Sequence, residues 1–242
     1  MSMVSPLLLP LCNFWQCDSR EAARICWAEV IRDDAYRFRE IALQSPCDWL
    51  VNLGGNVGTT DVAFHTYFSS SRSITLEPCE ATFKKLRANV MAAGMTPSSA
   101  ICVQAGFGTG RPVRLVAHEG TGACRFAEVS GDAEASPTDV PTMTLRSIYD
   151  KVGIVPTDVV YLKVDCEGAE VALMHPDNLP LFSSAAYVGI EFHMSHLGVP
   201  IVSKEVVAQI YGTLLMSHRA LYTAWKEDIG ISVAIRNDLV KA

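Results

Sequence analysis

The chain lacks the features that mark several large functional classes. Its eight cysteines, at 12, 17, 26, 47, 79, 102, 124 and 166, form no C-x-x-C pair. This argues against a zinc or disulfide framework and for reduced, packed thiols in a cytoplasmic protein. Basic residues are scarce: 20 Lys and Arg against 26 Asp and Glu give a formal charge of -6, with no basic run interleaved with aromatics. A nucleic-acid partner is therefore not expected. Leu7-Leu8-Leu9 is bracketed by Pro6 and Pro10 and has no basic residue before it. It is too short to cross a membrane and makes a poor signal peptide, so no membrane partner is expected; the opening residues read as a segment that packs on the domain or helps to cover its site. No internal repeat or compositional boundary divides the 242 residues, and a 49% hydrophobic content suffices for one α/β core. A homodimer remains compatible with all of this.

What is present begins at Asp48-Trp49-Leu50-Val51-Asn52-Leu53-Gly54-Gly55-Asn56-Val57-Gly58. A short apolar run, read as a buried strand, ends in glycines that let the backbone turn sharply and approach a ligand, and Thr59-Thr60 offers a helix cap. The strand Ser73 to Leu76 then delivers the carboxylate of Glu77, placed to grip ribose hydroxyls. A dinucleotide fingerprint ending at Gly58 would need glycine at position 53, which is Leu. An acid or its amide followed by x-G-x-(G/N)-x-G fits Asn52, Gly54, Asn56 and Gly58, the pattern of an S-adenosylmethionine loop. The expected cofactor-binding residues are Asn52, Gly54, Gly55, Asn56, Gly58 and Glu77, with Asp165 from the next signal.

That signal is Val159 to Glu170, a strand whose charges Lys163, Asp165 and Glu167 crowd its C-terminal end, followed by Gly168 and a helix from near Ala169. Open parallel sheets bind ligands beyond the carboxyl ends of their strands, so these charges are expected to face the same crevice as the glycine loop. Asp165 would hold the cofactor's ammonium, orient an acceptor hydroxyl, or join a cation site with Glu191. No compact ligand set is visible, so no metal is expected. Lys163 is expected to pair with Glu167 or Glu191. His193, after the strand Ala186 to Phe192, is the preferred catalytic base, with Asp165 as its catalytic partner and His196 as the nearest competitor.

The remaining pattern gives a helical stretch over 18–44 with Ala22, Ile25, Cys26, Val30 and Ile41 on a buried face. A helix over Ala81 to Ala93 and a strand over Ile101 to Ala105 follow. Phe107 then borders an adenine or packs in the core. Residues 108–141 read as a hairpin-like insertion with a mobile stretch near 130–139. A helix over Thr144 to Val152, a long helix over Ser203 to His218 and a strand pair over Leu221 to Lys226 and Ile231 to Ile235 complete the chain. Residues 1–45 are taken as an N-terminal helical segment and 46–242 as the main domain.

Leu50 to Gly58, Leu76-Glu77-Pro78 with Phe83 to Asn89, Thr142 to Leu145, the K-x-D-x-E-G-x-E run at Leu162 to Glu170, and Gly189 to His193 occur in an order similar to the FkbM family of methyltransferases. The resemblance spans about residues 45 to 195. It implies a Rossmann-like α/β methyltransferase fold, with a mostly parallel seven-stranded sheet between helices on both faces. It also implies S-adenosylmethionine as donor and O-methylation of a small-molecule hydroxyl on a sugar, polyketide or other natural product. Two positions depart from the family pattern. Asn52 stands where the family has Asp near the cofactor's ammonium or its bridging waters, and Arg146 replaces an acid after the Thr-x-Thr-Leu segment. A non-catalytic nucleotide-binding protein with a degenerate methyltransferase fold is the alternative; a nicotinamide-dependent oxidoreductase would share Glu77 but lacks the complete fingerprint.

Overall fold

The computed structural model describes residues 16–17, 19–118, 124–128, 136, 138–196 and 199–240, and of Arg20, 115–118, 124–128, His196 and Val199 the backbone alone. The opening segment Met1 to Cys12 and the core of the stretch expected near 130–139 lie outside these residues. Seven strands form the central sheet: β1 (Trp49–Leu53), β2 (Arg72–Leu76), β3 (Ala100–Val103), β4 (Val160–Val164), β5 (Tyr187–His193), β6 (His218–Lys226) and β7 (Ile229–Arg236). Their spatial order is β6-β7-β5-β4-β1-β2-β3. All run parallel except β7, which pairs antiparallel with both β5 and β6. The expected α/β, mostly parallel architecture is the one observed.

Apolar residues cover both faces of β1 and β4, as a sheet with helices on each side requires. Trp49, Val51 and Leu53 point to one core with Leu162, Val164, Leu145, Phe182 and Ile210. Leu50 and Tyr161 point to the other, with Phe38, Phe64 and Tyr187. The first core is covered by α5 (Leu145–Val152), α6 (Leu179–Ser184) and α7 (Lys204–Ser217); the second by α2 (Phe38–Ala42) and α3 (Thr59–Tyr67). On the outer side of β2 and β3, Leu86 and Val90 of α4 (Glu80–Ala92) pack with Ala100. Phe107, 5% exposed, sits in the first core.

The N-terminal helical stretch is broken into pieces. It comprises α1 (Arg20–Trp27), a π-helical turn at Ala28–Arg32, and α2 after a break at which Asp34 and Arg37 take positive φ angles of 51° and 57°. The break turns Tyr36 inward, where its carbonyl accepts the Tyr161 hydroxyl at 2.7 Å. Ile25, expected on the buried face, is 57% exposed because α1 precedes that turn. The helix expected from Ala169 is a 3-10 turn, Ala169–Met174, whose start is set by Gly168 at φ 105°. Between β3 and β4, the strands Val113–His118 and Cys124–Glu128 pair antiparallel, with Asp139–Val140 on the other edge. Gly106–Phe107 pairs in parallel with Thr142–Met143.

Asn178 ties the pieces at this end together. Fully buried, it accepts from Leu145 N at 2.6 Å and donates to Ala172 O at 2.7 Å and Gly108 O at 3.2 Å. Asn178→Ala would leave a buried donor and weaken two carbonyls' pairing, so we expect a loss of about 3 kcal/mol. Urea denaturation checks this; a midpoint within error of the parent would show that water replaces all three bonds.

Candidate active site

Three chain segments meet at the carboxyl ends of β1, β2 and β4. After Leu53, the N–H groups of Gly54 and Gly55 both turn to Leu76 O, at 3.2 and 2.8 Å, and Gly58 N closes the turn on Gly55 O at 2.9 Å. Gly54 has φ 82°, and a Cβ there would run into the backbone carbonyl of Asp165; a Cβ on Gly55 would meet the Thr75 side chain. Gly58, at φ 89°, precedes the first residue of α3. The glycines are thus demanded both by the turn and by the approach of two strand ends. Asn56 is exposed at the crest with φ 46°.

Glu77 faces this loop from the end of β2. Its Oε2 accepts from Asn56 N and its Oε1 from Cys79 N, each at 2.9 Å. Burial pushes the carboxyl up to about 7 against the opposing pull of these two hydrogen bonds. Each oxygen retains acceptor capacity. Nearby, the Oγ1 of buried Thr59, at the start of α3, has no hydrogen-bond partner.

Asn52 takes a different position from the one expected beside the cofactor's ammonium. Strand alternation turns it toward α3, where Nδ2 donates to Asp61 Oδ2 at 2.9 Å while Thr75 Oγ1 donates to Asp61 Oδ1 at 2.6 Å. Asn52 and Asp61 are both fully buried. The amide therefore supports the loop from behind by solvating a buried carboxylate. Arg146 is exposed on α5.

Lys163 is buried and donates to Gly54 O at 2.6 Å, with Leu53 O at 3.5 Å. Its charged partner is Asp165 Oδ2 at 3.1 Å, not Glu167 or Glu191, because the β4 pleat turns Lys163 toward the β1 loop. Burial pulls the ammonium's pKa down, but Asp165 and its neighbours outweigh that and leave it raised. Conversely, burial raises the Asp165 carboxyl while Lys163 and then His193 bring it below its ordinary value.

His193, 6% exposed, lies within a ring of carboxylates. Its Nε2 is 3.5 Å from Glu191, 3.8 Å from Asp165 and 3.8 Å from Glu167, and its Nδ1 is 3.6 Å from Glu170. Burial lowers its pKa, but Glu170, Asp165 and Glu167 together raise it to about 10. A raised pKa favours the imidazolium, the form that donates rather than accepts a proton, at this last residue of β5. Glu191, by contrast, is pushed up to about 8 by burial and by Asp165. The sequence named Glu191 as a possible partner of Asp165 or Lys163 but gave no sign of its raised pKa, since the neighbours that raise it come from separate strands. The backbone of His196 lies in the short strand Ser195–His196.

Together, a bare glycine loop, an acid turned into it and an unpartnered Thr59 hydroxyl form a cradle that fits S-adenosylmethionine. Residues 52–209 match the family described as the methyltransferase FkbM domain. No curated protein matches the sequence. Among solved structures, the fold is similar to a proposed O-methyltransferase from Klebsiella pneumoniae, at 10% identity over 96% of this chain and 90% of that one, with a TM-score of 0.53. It is also similar to a proposed rRNA methylase from Clostridium thermocellum, at 7% identity over 82% of this chain and 92% of the other, with a TM-score of 0.50.

The Asn52 geometry yields a prediction. Asn52→Asp would set a second carboxylate against buried Asp61, so we expect a stability loss of about 3 kcal/mol or more at neutral pH. The loss should shrink as pH falls toward the carboxyl range, where the pair can share a proton. Melting temperatures at pH 5 and 7 check this; an undiminished melting temperature at pH 7 would remove the Asn52–Asp61 contact.

Proposed function

The chain belongs to the FkbM methyltransferase family, and from that premise we propose that it methylates a hydroxyl of a small molecule using S-adenosylmethionine. The observation that carries the placement of the donor is Glu77, buried at the end of β2 with both carboxylate oxygens against the backbone of the glycine loop and Cys79. S-adenosylmethionine, when bound, supplies a methyl group already activated by a positively charged sulfur. The chain must hold donor and acceptor in line, exclude water and accept one proton. Glu77 would grip the ribose hydroxyls, with Gly54, Gly55, Asn56 and Gly58 lying along the cofactor and Asn52 bracing the loop.

The acceptor would sit before Asp165 and His193. Lys163 fixes Asp165 by its Oδ2, leaving Oδ1 to orient the hydroxyl. Glu191, with a carboxyl raised to about 8, is suited to take the proton because its affinity for it lies near working pH. The ring of acids argues against a phosphate-rich acceptor such as RNA, which it would repel. No helix among the described residues is long and apolar enough to cross a membrane. The described cysteines 17, 26, 47, 79, 102 and 166 are free thiols, in keeping with a cytoplasmic enzyme.

Calorimetry with S-adenosylmethionine tests the donor site. Glu77→Ala should weaken binding roughly tenfold or more, since hydrogen bonds to a charged group contribute about 1.5 to 3 kcal/mol. With its pKa about 7, Glu77 is increasingly protonated below neutrality, so affinity should rise as pH climbs through 7 and the rise should vanish in Glu77→Gln. Parental affinity in Glu77→Ala would place the ribose elsewhere.

Transfer of a labelled methyl group to a panel of alcohols, amines and RNA tests the acceptor class. Glu191→Gln should lower turnover by about a hundredfold with cofactor affinity unchanged, the usual scale of general-base catalysis. Labelled RNA or amines with no labelled alcohol would overturn the hydroxyl reading. Cofactor binding without transfer to any acceptor would favour the non-catalytic alternative.

A further inference from the structure

The carboxylate ring around His193 has a geometry that hydrogen bonding among its members does not explain. Carboxylates only accept hydrogen bonds, yet three converge on one ring nitrogen at 3.5 to 3.8 Å, longer than well-formed bonds. A proton on Nε2 has one direction and would serve one of the three. A cation among them would serve all.

Each member is held with one atom directed inward. Asp165 spends Oδ2 on Lys163 at 3.1 Å and on the Tyr36 hydroxyl at 3.5 Å, which leaves Oδ1 toward His193. Glu167 is projected from a backbone of φ 51° just before Gly168. Behind the imidazole, Glu170 is locked by the N–H groups of Cys166 and Gly168, at 2.9 and 2.8 Å, so that Oε1 faces Nδ1. Nδ1 is buried, and this Glu170 oxygen at 3.6 Å, just beyond a well-formed hydrogen bond, is the carboxylate it faces. A carboxylate behind one ring nitrogen, with the other nitrogen aimed at a set of acids, is the arrangement by which metal-binding histidines are oriented.

We propose that Asp165, Glu167 and His193 bind a divalent cation at the carboxyl end of the sheet, with Glu191 beside it. Ligand atoms of these three residues lie within 4.8 Å of one another, a spacing that a cation with bonds of about 2.0 to 2.5 Å can bridge. One imidazole nitrogen among carboxylate oxygens favours a first-row ion such as Mn2+ over Ca2+. The side chains of Asp165 and Glu167 are 27% and 28% exposed, so the ion can be reached from solvent and keeps open positions. An acceptor hydroxyl placed there would be polarised by the ion. That consequence rests on the function proposed above; the cation site does not.

The test uses the full chain, stripped with a chelator and titrated with Mn2+ while the signal of free ion is followed by electron paramagnetic resonance. We expect one ion per chain. Glu167→Gln and His193→Gln should each weaken binding tenfold or more, whereas Glu80→Gln, on the exposed surface of α4, should not. Where a variant melts early, broadening of the His193 ring resonances by Mn2+ in the parent gives the same answer. No Mn2+ uptake at millimolar ion, uptake unaffected by both variants, or an unbroadened His193 would overturn the proposal. S-adenosylmethionine binding is measured on the same samples: donor binding without Mn2+ rejects the cation site alone, and Mn2+ binding without donor rejects the donor reading alone.

Discussion

A single buried ammonium holds the two halves of this site in register. Lys163, 2% exposed, is hydrogen-bonded to the carbonyl of Gly54 and paired with Asp165. One bond fixes the loop after β1 and the other fixes the acid after β4. Removing a partner from such a group leaves an uncompensated charge in the interior, which is far costlier than losing an exposed pair. The glycine at 54 follows from the same contact: the loop must come close enough to Lys163 that no side chain fits before Asp165. Loop composition, strand-end acid and buried lysine are thus one constraint seen at three positions.

The elements that carry this constraint were legible because each is a local pattern. Apolar runs ending in glycine or charge at Leu53 and Val164 marked the strand ends, and the interval to Glu77 marked the next one. The mostly parallel, seven-stranded character of the sheet followed from the family resemblance, whereas the order of its strands did not. Hairpin pairing within 108–141 was legible from its two β-rich pieces, which pair antiparallel.

What was not legible depends on faces and on distances across strands. Asn52 occupies a motif position, but the pleat sends its side chain to Asp61 in α3, a partner nine residues on that no loop pattern names. His193 was legible as a titratable group at a strand end, but its surroundings were not. Its charge state is set by Asp165, Glu167 and Glu170 from the β4 connection, which becomes its neighbour only because β5 lies beside β4. Likewise, the helical pattern over 18–44 gave no sign of the left-handed turns at Asp34 and Arg37, since neither is glycine.

Tyr36 carries a consequence for where this enzyme can be cut. Its residue number falls before the family-matched span of 52–209, yet its hydroxyl reaches Asp165, its carbonyl accepts Tyr161 and its ring lies 5.8 Å from the Lys163 ammonium. The upstream segment is therefore part of the dielectric wall of the site. A domain excised at the family boundary would open the Lys163–Asp165 pair to water and weaken their attraction. In modular terms, the unit that can be transplanted or fused begins before Tyr36, and homology alone draws the border too far downstream.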